Sequence, residues 1–71
     1  MKISKMKAER LKRKWRQVEL AFHSNVPIGE ISKIETLRMK PYQRHAERIS
    51  KILGISPDEL QELVEEGDLI Q

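Results

Sequence analysis

The groups able to do chemistry in this 71-residue chain are few and scattered. Its only histidines, His23 and His45, lie far apart, with no H-E-x-x-H spacing to bring two imidazoles onto one helix face. His45 is expected on a helix flank and His23 near a turn. There is no cysteine, so neither a disulfide framework nor a thiolate zinc site can form, and no metal is expected. The carboxylates crowd toward the C-terminus without a neighbouring base or nucleophile, and no glycine-rich loop is present to cradle a phosphate. Neither an enzyme nor a cofactor is expected. What the residues do offer is charge. All 14 Lys and Arg lie in residues 1–51 against five acids (Glu9, Glu19, Glu30, Glu35, Glu47), a net +9. Residues 52–71 carry six acids and no base, a net −6 that leaves the whole chain at +3. A basic body suits a polyanion, because each neutralised phosphate releases condensed counterions. The acidic end cannot share that work. It is read either as a surface for a protein partner or as a solvated face.

The elements that must position these charges belong to one small domain. A domain of this size buries only about 60% of the surface its unfolded chain exposes, so its core must be efficient, and a partner subunit would help. Apolar runs reach only two or three residues, far short of the ~20 that span a bilayer. The opening "MKISKMKAER" is basic but lacks the apolar stretch of a signal peptide. The expectation is a complete, soluble, cytoplasmic (nucleoid-associated) protein with no room for a sensor domain, controlled by its concentration, its turnover or a partner.

Periodicity and punctuation predict five helices. The first runs from about Ser4 to Lys14, with Ile3, Met6, Arg10 and Leu11 inward. The second runs from about Gln17 to Ser24, with Leu20 and Ala21 inward; Asn25 is placed to turn the chain through a left-handed conformation, and Val26 plugs the corner. The third starts at Pro27 or Ile28, where proline's missing N–H costs nothing, and buries Ile31 and Ile34. After the loop "TLRMKP", the fourth spans about Tyr42 to Leu53, with Ala46, Ile49, Ile52 and Leu53 on one side. Gly54 terminates it and Ile55 folds back. Ser56-Pro57-Asp58-Glu59 reads as a capping box that opens a fifth helix, ending near Gly67, with Leu60, Leu63 and Val64 apolar. No segment alternates with period two. The fold class predicted is all-α, a compact five-helix domain.

A spaced set of these residues resembles the lambda-repressor/Cro-like (XRE-type) helix-turn-helix family. It comprises Arg10, Gln17, the "ELA" of Glu19-Leu20-Ala21, Val26, "ISKIE" from Ile31 to Glu35, Pro41, and "AERISKILGISPDEL" from Ala46. The resemblance runs from about Met6 to Leu60, roughly three quarters of the chain. Each element is weak alone; their common register makes the signal strong. Physically, Ala21 is small where two helices cross, and Leu20, Val26, Ile31 and Ile34 fill the angle between them. The resemblance makes residues 17–36 the helix-turn-helix unit and residues 56–71 an acidic helix and tail. It makes Arg10 and Glu35 a structural ion pair.

The resemblance further implies that the third helix enters the major groove of double-stranded DNA. Ile28, Gly29, Ser32 and Lys33 would then meet base edges, Lys33 donating to guanine and Ile28 packing on a thymine methyl. Gln17 would clamp a phosphate at the N-terminus of the second helix, helped by Arg16, Arg38 and Lys40. The basic run Lys12-Arg13-Lys14 is read either as further phosphate contacts or as a solvated face, and Trp15 as core. Binding as a homodimer is expected, at least on DNA, with half-sites one helical turn apart. Leu60, Leu63, Val64, Leu69 and Ile70 are the expected interface; Leu60 and Leu63 could instead close the core.

Four positions depart from the family pattern. Asn25 stands for the usual turn glycine, Leu37 for the glycine that ends the recognition helix, and Pro27 for a Ser or Thr cap. Glu30 puts a carboxylate near the groove end, where it would repel phosphate, favour the helix dipole or accept from cytosine. The function expected is that of a small prokaryotic or phage-type transcriptional regulator. The alternatives are the antitoxin half of a toxin–antitoxin pair and a protein-binding adaptor that kept the fold without base readout.

Overall fold

The computed structural model describes residues 1–69, with side chains through Gly67. The chain opens with a short strand, β1 (Lys2–Ser4), which leads into helix α1 (Lys5–Lys12). Ser4 caps that helix by accepting from the Lys7 N–H at 3.2 Å. The predicted extension to Lys14 does not form: Arg13 is the cap, and Lys14 takes a left-handed φ of 58°. Helix α2 (Gln17–Ser24) ends at Asn25, whose φ of 56° and ψ of 44° are the left-handed turn expected there. Helix α3 (Ile28–Glu35) starts after Pro27. Helix α4 (Gln43–Leu53) stops at Gly54 with φ 71°.

The fifth helix is absent. Ser56 and Glu59 do form their capping box, but it closes only a single 3₁₀ turn, Pro57–Glu59. The chain then extends into strand β2 (Leu63–Glu65), which pairs antiparallel with β1 in the register Lys2↔Glu65, Ile3↔Val64, Ser4↔Leu63. A second 3₁₀ turn covers Glu66–Leu69. Charge accounts for the outcome. A helix here would set Glu62 one turn from Glu65 and Glu66, where like charges repel, and would place acids at the negative end of its dipole. As a strand, the segment instead supplies partners for the N-terminal backbone. Met6 N–H donates to the Leu60 carbonyl at 3.0 Å, and Glu66 N–H donates to the Met1 carbonyl at 2.9 Å. The fold is therefore mostly helical, with four α-helices and a two-stranded sheet joining the two ends of the described chain.

The core is formed by Met6, Leu20, Val26, Ile31, Ile34, Ala46, Ile49, Leu53 and Leu60. Trp15, Ala21, Met39, Ile52 and Ile55 pack around it half-buried. Each fully buried Leu, Ile or Met contributes about 1.5–3 kcal/mol relative to exposure. Leu11, expected inward, is exposed because α1 turns its Arg10 edge to the core instead.

Candidate nucleic-acid interface

Helix α3 has two contrasting faces. Ile31, Ile34 and Glu35 are buried. Ile28, Gly29 and Lys33 are exposed and Ser32 is half-exposed, so the four predicted base-contacting residues share one accessible strip. Thr36 continues that strip and was not foreseen. Its hydroxyl already donates to the Ser32 carbonyl at 2.9 Å, which leaves its methyl free.

The strip is held by a buried knot behind it. Arg10 Nε donates to Glu35 Oε2 at 2.6 Å and Nη2 to Oε1 at 3.1 Å, while Nη1 donates to the Trp15 carbonyl at 2.7 Å. This is the expected ion pair, and it fastens the end of α3 to α1 and to the connection before α2. Gln17 joins it: Nε2 donates to Glu35 Oε1 at 3.1 Å. The Gln17 amide is thus turned toward the knot. The group left at the surface for an anion is the opening backbone of α2, beside the exposed Arg16. Arg16 N–H donates to Glu19 Oε1 at 2.7 Å, and this bond together with the Arg16 side chain holds the Glu19 carboxyl below its ordinary range.

Arg38 and Lys40 are exposed in the loop after α3. The backbone reverses at Leu37, whose φ of 63° is the left-handed conformation a glycine would supply. Arg38 N–H then donates to the Lys33 carbonyl at 2.8 Å. The loop keeps the course a glycine would have given it, at the cost of strain. Gln61, which no sequence pattern singled out, pins this loop by donating to the Met39 carbonyl at 2.7 Å and the Ile34 carbonyl at 3.2 Å.

The basic run before α2 is largely committed to the fold. Lys12 and Arg13 both pair with Glu9, at 2.9 and 3.1 Å, and Arg13 Nη2 donates to the Leu53 carbonyl at 3.0 Å. Burial pushes the Glu9 carboxyl up, but these two cations outweigh it and hold it below its ordinary value. Trp15 is half-buried rather than fully in the core. It stacks on His23 with centroids 4.5 Å apart, and the Arg13 guanidinium lies 5.8 Å from its ring. Arg48, also unforeseen, sits on the outer side of α4 and donates to the Asn25 carbonyl at the α2–α3 turn, at 3.3 Å. Its signal was the i, i+4 spacing of Arg44 and Arg48.

Glu30 does not stand out toward the groove side. Its Oε2 lies 2.6 Å from His45 Nδ1, with both atoms shut off from solvent. His45, expected on a helix flank, is accordingly buried.

Among the expected interface residues, Leu60 is fully buried and belongs to the core, where it meets Met6 across the β1–α1 junction. Val64 is half-buried opposite Ile3, and Leu63 is exposed. The Leu69 side chain and Ile70 lie outside the described residues. No helix among the described residues is long and apolar enough to cross a membrane. No group of three His, Cys, Asp or Glu side chains among them could hold a metal ion.

Two short helices set by a left-handed turn, one offering an exposed strip on a rigid mount, define a DNA-binding helix-turn-helix domain, a non-enzymatic type. A family model described as Helix-turn-helix matches residues 6–60, and the chain belongs to that family, the XRE or lambda-repressor-like helix-turn-helix proteins. No curated protein and no solved structure matches the chain.

Proposed function

We propose that this protein reads a specific sequence in double-stranded DNA as a small prokaryotic or phage-type transcriptional regulator, working in the cytoplasm. The observation that carries the proposal is the exposed strip of α3 backed by the buried Arg10–Glu35 pair. Base readout needs a few side chains held in fixed register, and a fork-shaped ion pair at the root of the reading helix provides that. Lys33 donates to a guanine, Ile28 packs on a thymine methyl, and Gly29 and Ser32 let the helix approach closely. Phosphates are held by the N-terminus of α2 at Gln17, and by Arg16, Arg38 and Lys40, with Arg48 extending the track beside the turn. On DNA the protein acts as a dimer, for which Leu63 and the half-buried Val64 remain available on β2; Leu60 is withdrawn from that role.

A protein partner is the second reading, as in an antitoxin or an adaptor. Phe22, 81% exposed one turn from the exposed Val18, favours it. Selection from a randomised duplex pool at moderate salt tests the first reading. An inverted repeat with half-sites about one helical turn apart is the expected result. A single half-site would remove the dimer. Weak, steeply salt-dependent retention without enrichment would overturn sequence readout and leave charge alone.

A further inference from the structure

A groove of about 200 Å³ lies where the end of α3 meets the two-stranded sheet, and nothing in the proposed readout uses it. Thr36 and Leu37 line it from the end of α3, Met1 and Ile3 from the N-terminal segment, and Leu63 from β2. Leu37 is 48% exposed and Leu63 52%, so each keeps about half of an apolar side chain in water. Leu37 is the more telling of the two. It holds φ at 63°, where a glycine would be unstrained, and a lone copy offers only partial burial in return. We propose that a second copy of this chain seats on this groove, the two Leu37–Leu63 patches closing on each other across a two-fold axis beyond the C-terminal end of the reading helix.

The position of the groove fits a pair of reading helices. An α-helix rises about 1.5 Å per residue, so Leu37 lies about 10 Å beyond the middle of the strip that runs from Ile28 to Lys33. Packed elements sit about 8–10 Å apart, which puts the midplane of a contact at Leu37 roughly 5 Å further on. Two copies related across that plane would hold their reading strips about 30 Å apart, close to the ~34 Å of one helical turn of DNA. Glu35, which anchors α3 to Arg10, also lines the groove, so a copy seated there bears on the root of the reading helix.

Charge selects the occupant. Lys2 and Lys7 flank the groove, and Glu65, the cross-strand partner of Lys2, is exposed beside them, with Glu62 exposed just before β2. These acids repel phosphate, so the groove is no extension of the DNA surface. A rim of one sign would repel its own copy. A rim with both signs lets a two-fold rotation set the lysines of one copy against the acids of the other, around an apolar centre. Area sets the strength. Two leucines and a short charged rim cover less than the about 800 Å² per partner of a stable complex. The pair is therefore weak in free solution and assembles on DNA, where two adjacent half-sites hold the copies at high effective concentration.

The inference rests on the dimeric DNA-binding reading and can fail separately from it. The experiment compares the wild type, Leu37→Gly and Leu63→Gln on duplexes carrying one or two copies of the selected half-site. Thermal melts accompany it, with sedimentation of each protein alone at up to about 1 mM. Glycine suits the left-handed backbone at position 37, and neither leucine belongs to the core, so both variants should fold. The wild type should fill two half-sites together, with roughly tenfold cooperativity, and should self-associate at the highest concentrations. Both variants should bind the single half-site as the wild type does, fill two half-sites independently and stay monomeric alone. Cooperativity retained by both variants would overturn the proposal, as would a wild type that fills two half-sites independently. Variants that melt earlier with cooperativity unchanged would show the groove filled by its own chain, which also overturns it. A pool that yields no enriched duplex would remove the DNA reading itself, and sedimentation of the wild type against the two variants would then decide the groove alone.

Discussion

Arg10 and Glu35, far apart in sequence, meet as a two-pronged fork, Nε on Oε2 at 2.6 Å and Nη2 on Oε1 at 3.1 Å, with both side chains nearly sealed from solvent. The desolvation of both charges offsets much of their attraction, so the pair as a whole adds little net stability. Breaking it is a different matter, because the remaining charge stays buried without a partner. Glu35→Leu and Arg10→Met are each expected to cost about 3–5 kcal/mol. The double variant Arg10→Met, Glu35→Leu should recover most of that loss. Chemical denaturation of the four proteins checks this as a double-mutant cycle. A double variant as unstable as the sum of the singles would show that the charges hold the fold through separate partners.

Among the described residues, three with side chains occupy the left-handed region, and their identities rank the strain. Asn25 tolerates φ 56°, Lys14 at 58° and Leu37 at 63° do so less well. Lys14→Gly should stabilise the protein by about 0.5–1 kcal/mol, the relief of the left-handed penalty less glycine's extra chain entropy. Leu37→Gly should gain less, because its side chain is only half exposed and its remaining contacts are lost. Asn25→Ala should lose about 1 kcal/mol. In a domain of this length each kcal/mol moves Tm by about 4–8 °C, well within a melting experiment.

Local backbone signals mark much of what was legible in the sequence. Asn25, Pro27 and Gly54 are local backbone signals, and the ends of α2 and α4 and the start of α3 lie where they point. The inward face of α3 followed from Ile31 and Ile34, because a three-residue spacing leaves no other arrangement of the core. The strand at Leu63–Glu65 was not legible in this way. Its partner, Lys2–Ser4, is at the other end of the chain, and three residues are too few to display alternation; only the repulsion among Glu62, Glu65 and Glu66 argued against a helix. The site divides similarly. The family spacing identified Arg10 and Glu35, but no spacing could show that Gln17 would turn inward to Glu35 or that Glu30 would find His45 on another helix, since both depend on how α3 sits against its neighbours.

The contact between the start of α1 and the 3₁₀ turn before β2 carries an acid sensitivity of its own. Lys5 pairs with Glu59; the hydrogen bond from Lys5, then those from Ser56, hold the Glu59 carboxyl below its ordinary value of 4.5. The same bond to Glu59 raises the Lys5 ammonium above 10.5. A carboxyl with a lowered pKa when folded contributes stability that is fully present above the unfolded value and is lost as pH falls through the folded one. A lysine with a raised pKa contributes below its unfolded value and loses that contribution as pH rises through the folded one. Stability should therefore hold between pH 5 and 10 as far as this pair is concerned, and decline below about pH 4.5 and above about pH 10.5. Glu59→Gln should flatten part of the acid limb in melts between pH 3 and 6. An acid limb unchanged by Glu59→Gln would leave Glu9 and Glu19, whose carboxyls are also held low, as its source.

Lys33 and Lys40 are both exposed lysines, yet the proposed function gives them different work, and salt separates the two. Lys33 lies on the reading strip, so Lys33→Ala should weaken binding to the selected site by about 1–3 kcal/mol while leaving random duplex almost unaffected. Sequence preference should relax at the base pair it contacts. Lys40 is in the loop after α3, where the proposed function has it meet backbone phosphate, so Lys40→Ala should weaken selected and random duplex alike. Its signature is the slope of log K against log salt, which should become shallower by about 0.9 for each phosphate contact removed. Titrations of both variants from 50 to 200 mM salt on both duplexes distinguish the roles. If Lys33→Ala shifted both duplexes equally and changed the salt slope, α3 would be held against the DNA backbone rather than in the groove, and base readout would have to come from elsewhere on the domain.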